Sequence, residues 1–164
     1  MVYKISRKFE MSCSHRLFDK NLSEIANRII FGKCSNEPSH GHNYIVELIL
    51  EGISLDNGML KNFSEVKNIF NSLIHDKYDH QFLNNVMQDI PTAENMCREI
   101  FNILHEQLPG LEIVRIWETA DCYAEYAQTL MIDGRQIVSC KVAEPKTVNV
   151  SDLMLINEPR GRRR

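Results

Sequence analysis

The chain has 164 residues, 43% hydrophobic and 25% charged, with a formal net charge of −3, the balance of one soluble globular domain large enough for a real core. That charge excludes the broad basic field that nucleic-acid binding leaves, no apolar run approaches the roughly 20 residues that span a bilayer, and the N-terminus has no signal-peptide core, so a cytoplasmic protein with neither nucleic-acid nor membrane partners is expected. The five cysteines are odd in number, scattered, and include no Cys-x-x-Cys pair, which predicts reduced thiols.

Residues 3–13 alternate, with Tyr3, Ile5, Phe9, Met11 and Cys13 on one face and Arg7 interrupting it. One further step in that register places His15 on the same side, at the edge of the core. Residues 16–39 read as a long connection, with a short helix over Leu22 to Phe31 and a cysteine, Cys34, near its end. Long structured connections in compact domains are often functional. A second strand is predicted from His40 to about Leu50, closed by Gly52 and paired antiparallel with the first. In it His40 and His42 project together, on the face that continues through Tyr44, Val46, Leu48 and Leu50.

Asn62-Phe-Ser-Glu65 is a helix-start pattern, and Phe63, Val66, Ile69, Phe70, Leu73 and Ile74 follow at helical spacing. Tyr78-Asp79-His80 comes next. A second helix starts at Pro91-Thr92, with Thr92 as N-cap and Glu94 in the first turn, where the helix dipole favours an anion. Its stripe of Met96, Ile100, Ile103, Leu104 and Leu108 is core, and Pro109-Gly110 stops it. A third strand covers Leu111 to Glu118, with Val114, Ile116 and Glu118 on one face. The carboxylate at the end of that apolar face needs a partner. A fourth strand begins near Tyr123 and runs as far as Ile132, Asp133-Gly134 is a hairpin turn signal, and Gln136 to Val142 reads as a return strand. The last residues, Arg160-Gly-Arg-Arg-Arg164, form a basic, solvated tail.

A lone His-x-His on a half-buried strand is as readily polar decoration as a ligand pair. With His15 added, three imidazoles from two neighbouring strands make half-open zinc coordination the stronger reading. Cys13, Cys97, Cys122 and Cys140 sit in strand or helix patterns and read as packing, and His75 and His105 as solvent-facing helix residues without partners.

The order strand, strand, helix, helix, strand, strand carries a set of short words: Ser14-His-Arg-Leu17, Phe31-Gly-Lys-Cys34, His40-Gly-His-Asn-Tyr44, Gly58-Met59, Asp79-His80 with Leu83-Asn84, Pro91-Thr-Ala-Glu-Asn95, and Trp117-Glu-Thr119 followed by Glu125-Tyr126. Together these resemble the 6-pyruvoyl-tetrahydropterin synthase family, which includes the 6-carboxy-tetrahydropterin synthases of queuosine biosynthesis. The resemblance spans about residues 3–127, so residues 1–127 are expected to form the synthase-like domain. Residues 128–164 are expected to be a C-terminal extension whose hairpin extends the sheet or covers a neighbouring subunit. Asn62 stands where the family commonly has Asp, an exchange between two good caps.

The resemblance implies an α+β tunnelling fold, a four-stranded antiparallel sheet with two helices on one face. The sheets of several copies would join into a barrel, as a trimer stacked into a hexamer. It implies Zn2+ on His15, His40 and His42, Cys34 as general base, Asp79 and His80 as a proton-relay pair, and Glu118 as the anchor of a pterin. The implied substrate is 7,8-dihydroneopterin triphosphate, with Thr92, Arg16, Arg28 and Lys33 as candidate substrate contacts.

Those roles are chemically reasonable. A zinc ion on three neutral imidazoles keeps an open position and acidifies the C–H bonds beside a bound oxygen. A thiol with its pKa lowered by a nearby cation suits proton abstraction at cellular pH. A glutamate can accept paired hydrogen bonds from an amino-pyrimidine edge. Two products compete: 6-pyruvoyl-tetrahydropterin, favoured by the Cys34–His40 spacing and the Phe-Gly-Lys-Cys context, and 6-carboxy-tetrahydropterin with acetaldehyde. A non-catalytic pterin or purine binder is a third reading, disfavoured because Cys34, Asp79 and His80 are all present, and a structural zinc module a fourth, disfavoured by the lack of a fourth protein ligand.

Overall fold

Alternation in two long strands organises the molecule. In a computed structural model that describes residues 2–127, 130–132 and 135–137, β1 (Tyr3–His15) and β2 (His40–Gly52) pair antiparallel along their whole length, from Tyr3 opposite Gly52 to His15 opposite His40. β3 (Leu111–Trp117) and β4 (Tyr123–Ala127) complete a four-stranded antiparallel sheet in the order β1-β2-β3-β4. The expected element order and sheet are therefore present.

Between β1 and β2 the chain forms α1 (Glu24–Phe31), capped by the Ser23 side chain, and a tight 3-10 turn over Gly32–Ser35. α2 (Phe63–Phe70) starts where the Asn62 carboxamide accepts from Ser64 N–H. It runs on through a π-helical turn, Asn71–His75, into a last turn, α3 (Asp76–Tyr78). A single short turn, α4 (Leu83–Val86), precedes α5 (Ala93–Leu104), whose N-cap is Thr92 as expected.

One face of the sheet is dry. Met11, Tyr44, Val46, Leu48, Val114 and Ile116 meet Val66, Phe70, Ile74, Met96, Ile100 and Leu104, all nearly inaccessible, with Ile103 partly buried beside them, and each fully buried side chain contributes about 1.5–3 kcal/mol of burial free energy. The other face is mixed: beside Ile45, Ile49, Ile113 and Trp117, the side chains of Ser6, Glu47, Arg115 and Glu125 form a cross-strand chain of hydrogen bonds, with Arg115 reaching Glu47 at 3.0 Å and Glu125 at 2.9 Å. Gly110 ends the α5–β3 connection at φ 90°, with the Glu51 carbonyl 2.6 Å from where a Cβ would stand, so both the conformation and the close approach require glycine.

Three expectations are corrected. Phe63 lies outside the buried stripe, 48% exposed, because it is the first residue of α2 and faces away from the sheet. The fourth strand stops at Ala127, and β5 (Leu130–Ile132) pairs instead with β6 (Arg135–Ile137) in a separate two-stranded sheet. Cys122 is exposed, while Cys13 and Cys97 are buried as expected. The Asp133-Gly134 turn, Cys140, the end of the expected return strand and the basic tail lie outside the described residues.

Candidate active site

The β1–β2 register does the assembling. His15 and His40 are cross-strand partners and His42 faces Cys13, one step along, so alternation sends three imidazoles to one end of the buried face. Gly41 between the two strand-two histidines lets the strands close, with its Cβ position 3.2 Å from the Cys13 carbonyl. The ligand-capable atoms of His15, His40 and His42 all lie within 4.8 Å of one another, and the Nε2 atoms of His15 and His40 are 3.0 Å apart.

His15 is 1% exposed, with Nδ1 2.8 Å from the Pro91 carbonyl. A carbonyl only accepts, so Nδ1 carries the proton and Nε2 is left bare toward the other rings. Burial lowers the proton affinity of His15, partly opposed by that carbonyl; burial and then the neighbouring His42 lower that of His40. Both are held in the neutral, ligating form. His42 Nε2 is buried without a hydrogen-bond partner. Converging bare nitrogens with an orphan among them fit a bound cation, and three imidazoles with an open fourth position suit zinc.

Glu118, just past β3, accepts from the Tyr44 hydroxyl and lies beside the imidazoles. Its Oε1 lies 3.4 Å from His42 Nε2, 3.6 Å from His15 Nε2 and 3.5 Å from the Tyr44 hydroxyl, which is also 3.3 Å from His15 Nδ1. Glu118 shares a recess of about 330 Å³ with Thr92, Leu17 and Tyr123, so the two expected substrate contacts face one space. Tyr44 belongs to the site as well. Burial, then the neighbouring Glu118 carboxylate, push its phenol up, so it stays a neutral donor.

Cys34 is half-buried on the 3-10 turn, and its carbonyl accepts from Leu17 N–H at 2.8 Å, two residues beyond His15. Arg16 departs from expectation. It is not a free cation: the residue is 8% exposed and its guanidinium is bound to the Ser35 carbonyl at 2.7 Å, Glu37 at 2.9 Å and Glu24 at 3.0 Å, over the Phe18 ring. It braces the Cys34 turn against β1. Asn84 clamps the same point, accepting from Arg16 N–H and donating to its carbonyl. Lys33 and Arg28 are exposed.

Asp79 and His80 form the turn that two adjacent facing side chains require: His80 has φ 57°, and its Nδ1 lies 2.7 Å from Asp79 Oδ2. The turn is stitched to β1 by Ser12 N–H to Asp79 Oδ1 at 2.8 Å and His80 N–H to Ser12 O at 2.7 Å. Burial raises the Asp79 carboxyl, but the Ser12 amide and the two neighbouring histidines outweigh it and hold it low. The His80 ring is 80% exposed, and it shares a recess of about 450 Å³ with His42, Ser12 and Phe82. His75 is not partnerless, since its Nε2 lies 3.4 Å from Asp79 Oδ2. His105 stacks on Phe101, with centroids 5.6 Å apart. Cys13 and Cys97 donate to the Tyr78 and Ala124 carbonyls, and burial pushes both thiols up to about 12, which makes them inert packing at neutral pH.

Residues 4–129 match the family model described as 6-pyruvoyl tetrahydropterin synthase. The 6-pyruvoyl tetrahydrobiopterin synthase of Dictyostelium discoideum is 37% identical over 128 residues, covering 74% of this chain and 93% of that protein. The 6-carboxy-5,6,7,8-tetrahydropterin synthase of Haemophilus influenzae is 29% identical over 153 residues, 77% of this chain and 100% of that one. Among solved structures, Caenorhabditis elegans 6-pyruvoyl tetrahydropterin synthase superposes with a TM-score of 0.73 at 29% identity, covering 78% of this chain and 96% of that one.

Proposed function

Because the chain belongs to the 6-pyruvoyl tetrahydropterin synthase family, an enzyme family of tetrahydropterin synthases, we propose that it is a zinc-dependent lyase that converts 7,8-dihydroneopterin triphosphate to 6-pyruvoyl-tetrahydropterin with elimination of triphosphate. The observation that carries this reading is the convergence of three imidazoles and one carboxylate at the end of the sheet's buried face.

His15, His40 and His42 would hold the metal, which when bound supplies a Lewis acid for the side-chain oxygens of the substrate and acidifies the neighbouring C–H bonds. Glu118 accepts the amino-pyrimidine edge of the pterin in the recess it shares with Thr92. Cys34, on a turn fixed to the residues after His15, takes a carbon-bound proton as its thiolate. As that C–H bond breaks, the adjacent C–O bond breaks and triphosphate leaves. His80, oriented through Nδ1 by a carboxylate that supports its protonated form, accepts and returns protons as the side chain rearranges. Lys33 and Arg28 are exposed cations available to the triphosphate.

The 6-carboxy outcome is the second reading, supported by the full-length match to the Haemophilus influenzae protein. The Cys34–His40 spacing and the Phe31-Gly-Lys-Cys34 context favour the first. The working protein is proposed to be a homo-oligomer, because β1 and β4 are edge strands of the sheet and open edges invite pairing with another copy. No helix among the described residues is long and apolar enough to cross a membrane, which supports a cytoplasmic setting. The deciding experiment incubates zinc-loaded protein with 7,8-dihydroneopterin triphosphate and identifies products. A pyruvoyl side chain supports the proposal, acetaldehyde moves it to the carboxy branch, and tight pterin binding without turnover makes the chain a binder.

A further inference from the structure

His75 was expected to be a solvent-facing helix residue, and the fold gives it a partner instead. The helix that begins as α2 widens into a π turn at Asn71–His75, where the Asp76 amide reaches back to the Asn71 carbonyl. Such turns re-aim the side chains that follow them and are frequent at functional sites. His75 is the last residue of that turn and stands four residues before Asp79. Its own carbonyl accepts from Asp79 N–H at 2.9 Å, and its Nε2 comes to 3.4 Å from Asp79 Oδ2, the oxygen that holds His80 Nδ1 at 2.7 Å. The other oxygen, Oδ1, is taken by Ser12 N–H.

We propose that His75 is a positioning residue of the Asp79–His80 pair: as a second imidazole on the same carboxylate oxygen, it sets how readily His80 holds a proton. One carboxylate can support one imidazolium well. A second cation beside it is repelled by the first, so the two rings compete for a single negative charge. The charged and titratable groups around Asp79 among the described residues are His75 from the helix, His80 from the turn and the Cys13 thiol from β1. Burial pushes that thiol up to about 12, so it carries no charge at neutral pH; His42, from β2, lines the recess that His80 faces, and the competition for the Asp79 charge is between His75 and His80. With His75 charged, His80 takes its proton at lower pH and remains a base over a wider range.

The inference rests on the relay role given above to Asp79 and His80, but its first test needs no substrate. In the full-length, zinc-loaded protein, exchange of the His80 C2 hydrogen with deuterium is followed by mass spectrometry as a function of pD, in the wild type, His75→Gln and His75→Lys. Gln removes the competing charge and moves the His80 profile to higher pD by a few tenths of a unit. Lys makes the charge permanent and moves it by a similar amount to lower pD, on the order expected for two cations near one surface carboxylate. A helix-end residue with a merely structural role would not produce opposite shifts. Movement of both variants in the same direction, or of neither, overturns the proposal. Where the wild type turns over substrate, the acid limb of the kcat/KM profile follows the same two directions, by about twofold at a pH on that limb. Opposite exchange shifts without any turnover leave the pairing standing and remove only the pterin reading.

Discussion

His15 and His80 are each fixed through Nδ1, near the same end of β1, but the oxygen opposite differs. His15 faces the neutral carbonyl of Pro91 and is 1% exposed, whereas His80 faces the carboxylate of Asp79 and its ring is 80% exposed. A carbonyl orients a ring and fixes its tautomer without adding charge, and burial then keeps that ring neutral. A carboxylate orients a ring and also supports its protonated form. The first arrangement suits the ligand role proposed for His15 and the second the base role proposed for His80, from the same side chain.

The most disruptive way to test that division is to remove a ligand. His42→Ala is expected to reduce bound zinc from near one per chain to about a tenth or less and to lower turnover by about a thousandfold or more, because two imidazoles do not retain a catalytic zinc; metal analysis beside a product assay reads both. Next comes Cys34→Ala, where zinc content and fold are retained while kcat falls by about 10²- to 10⁴-fold, the span for loss of a general base. A variant that turned over normally would remove Cys34 from the chemistry.

Asp79→Asn sharpens the other half of the comparison. The carboxamide oxygen still accepts from Ser12 N–H, yet the charge that supports His80 is gone. We expect kcat to fall by about 10- to 10²-fold with zinc unchanged. The pH dependence of stability changes too. The Asp79 carboxyl titrates lower in the folded chain than in the unfolded one, so its contribution is fully present above the ordinary aspartate range and is lost as pH falls through the folded value. The variant should therefore show a shallower loss of Tm below about pH 4. The smallest effect belongs to Tyr44→Phe, which removes the hydroxyl between His15 and Glu118. A loss of about 1 kcal/mol in stability is expected, with zinc affinity weakened by about tenfold, measured by chelator competition.

Much of this was legible from alternation. Extending the β1 pattern one step past Cys13 put His15 beside His40, and the same period put Tyr44 in line with His40 and His42, although its place in the site was not read from that line. The Asp79-His80 pair stood adjacent in the sequence, and two adjacent side chains can face each other only across a turn such as the one His80 makes at φ 57°. What escaped depends on contacts between distant segments. Arg16 looks like any surface cation until Glu24 and Glu37 close on it. The Pro91 carbonyl has no side-chain signature at all. His75 was lost because its partner Asp79, four residues on, lies past the point where the apolar stripe of the helix ends, and Phe63 because a position in the apolar stripe does not reveal that the first turn overhangs the sheet.

The Arg16 brace has a mechanical consequence. One guanidinium ties the residue after His15 to the carbonyl beside Cys34 and to acids on two further segments, so the ligand strand and the thiol turn behave as one rivet-joined plate. Chemical denaturation should therefore release zinc and uncover the Cys34 sulfur at a common midpoint, with no range of denaturant in which the thiol reacts while the metal stays.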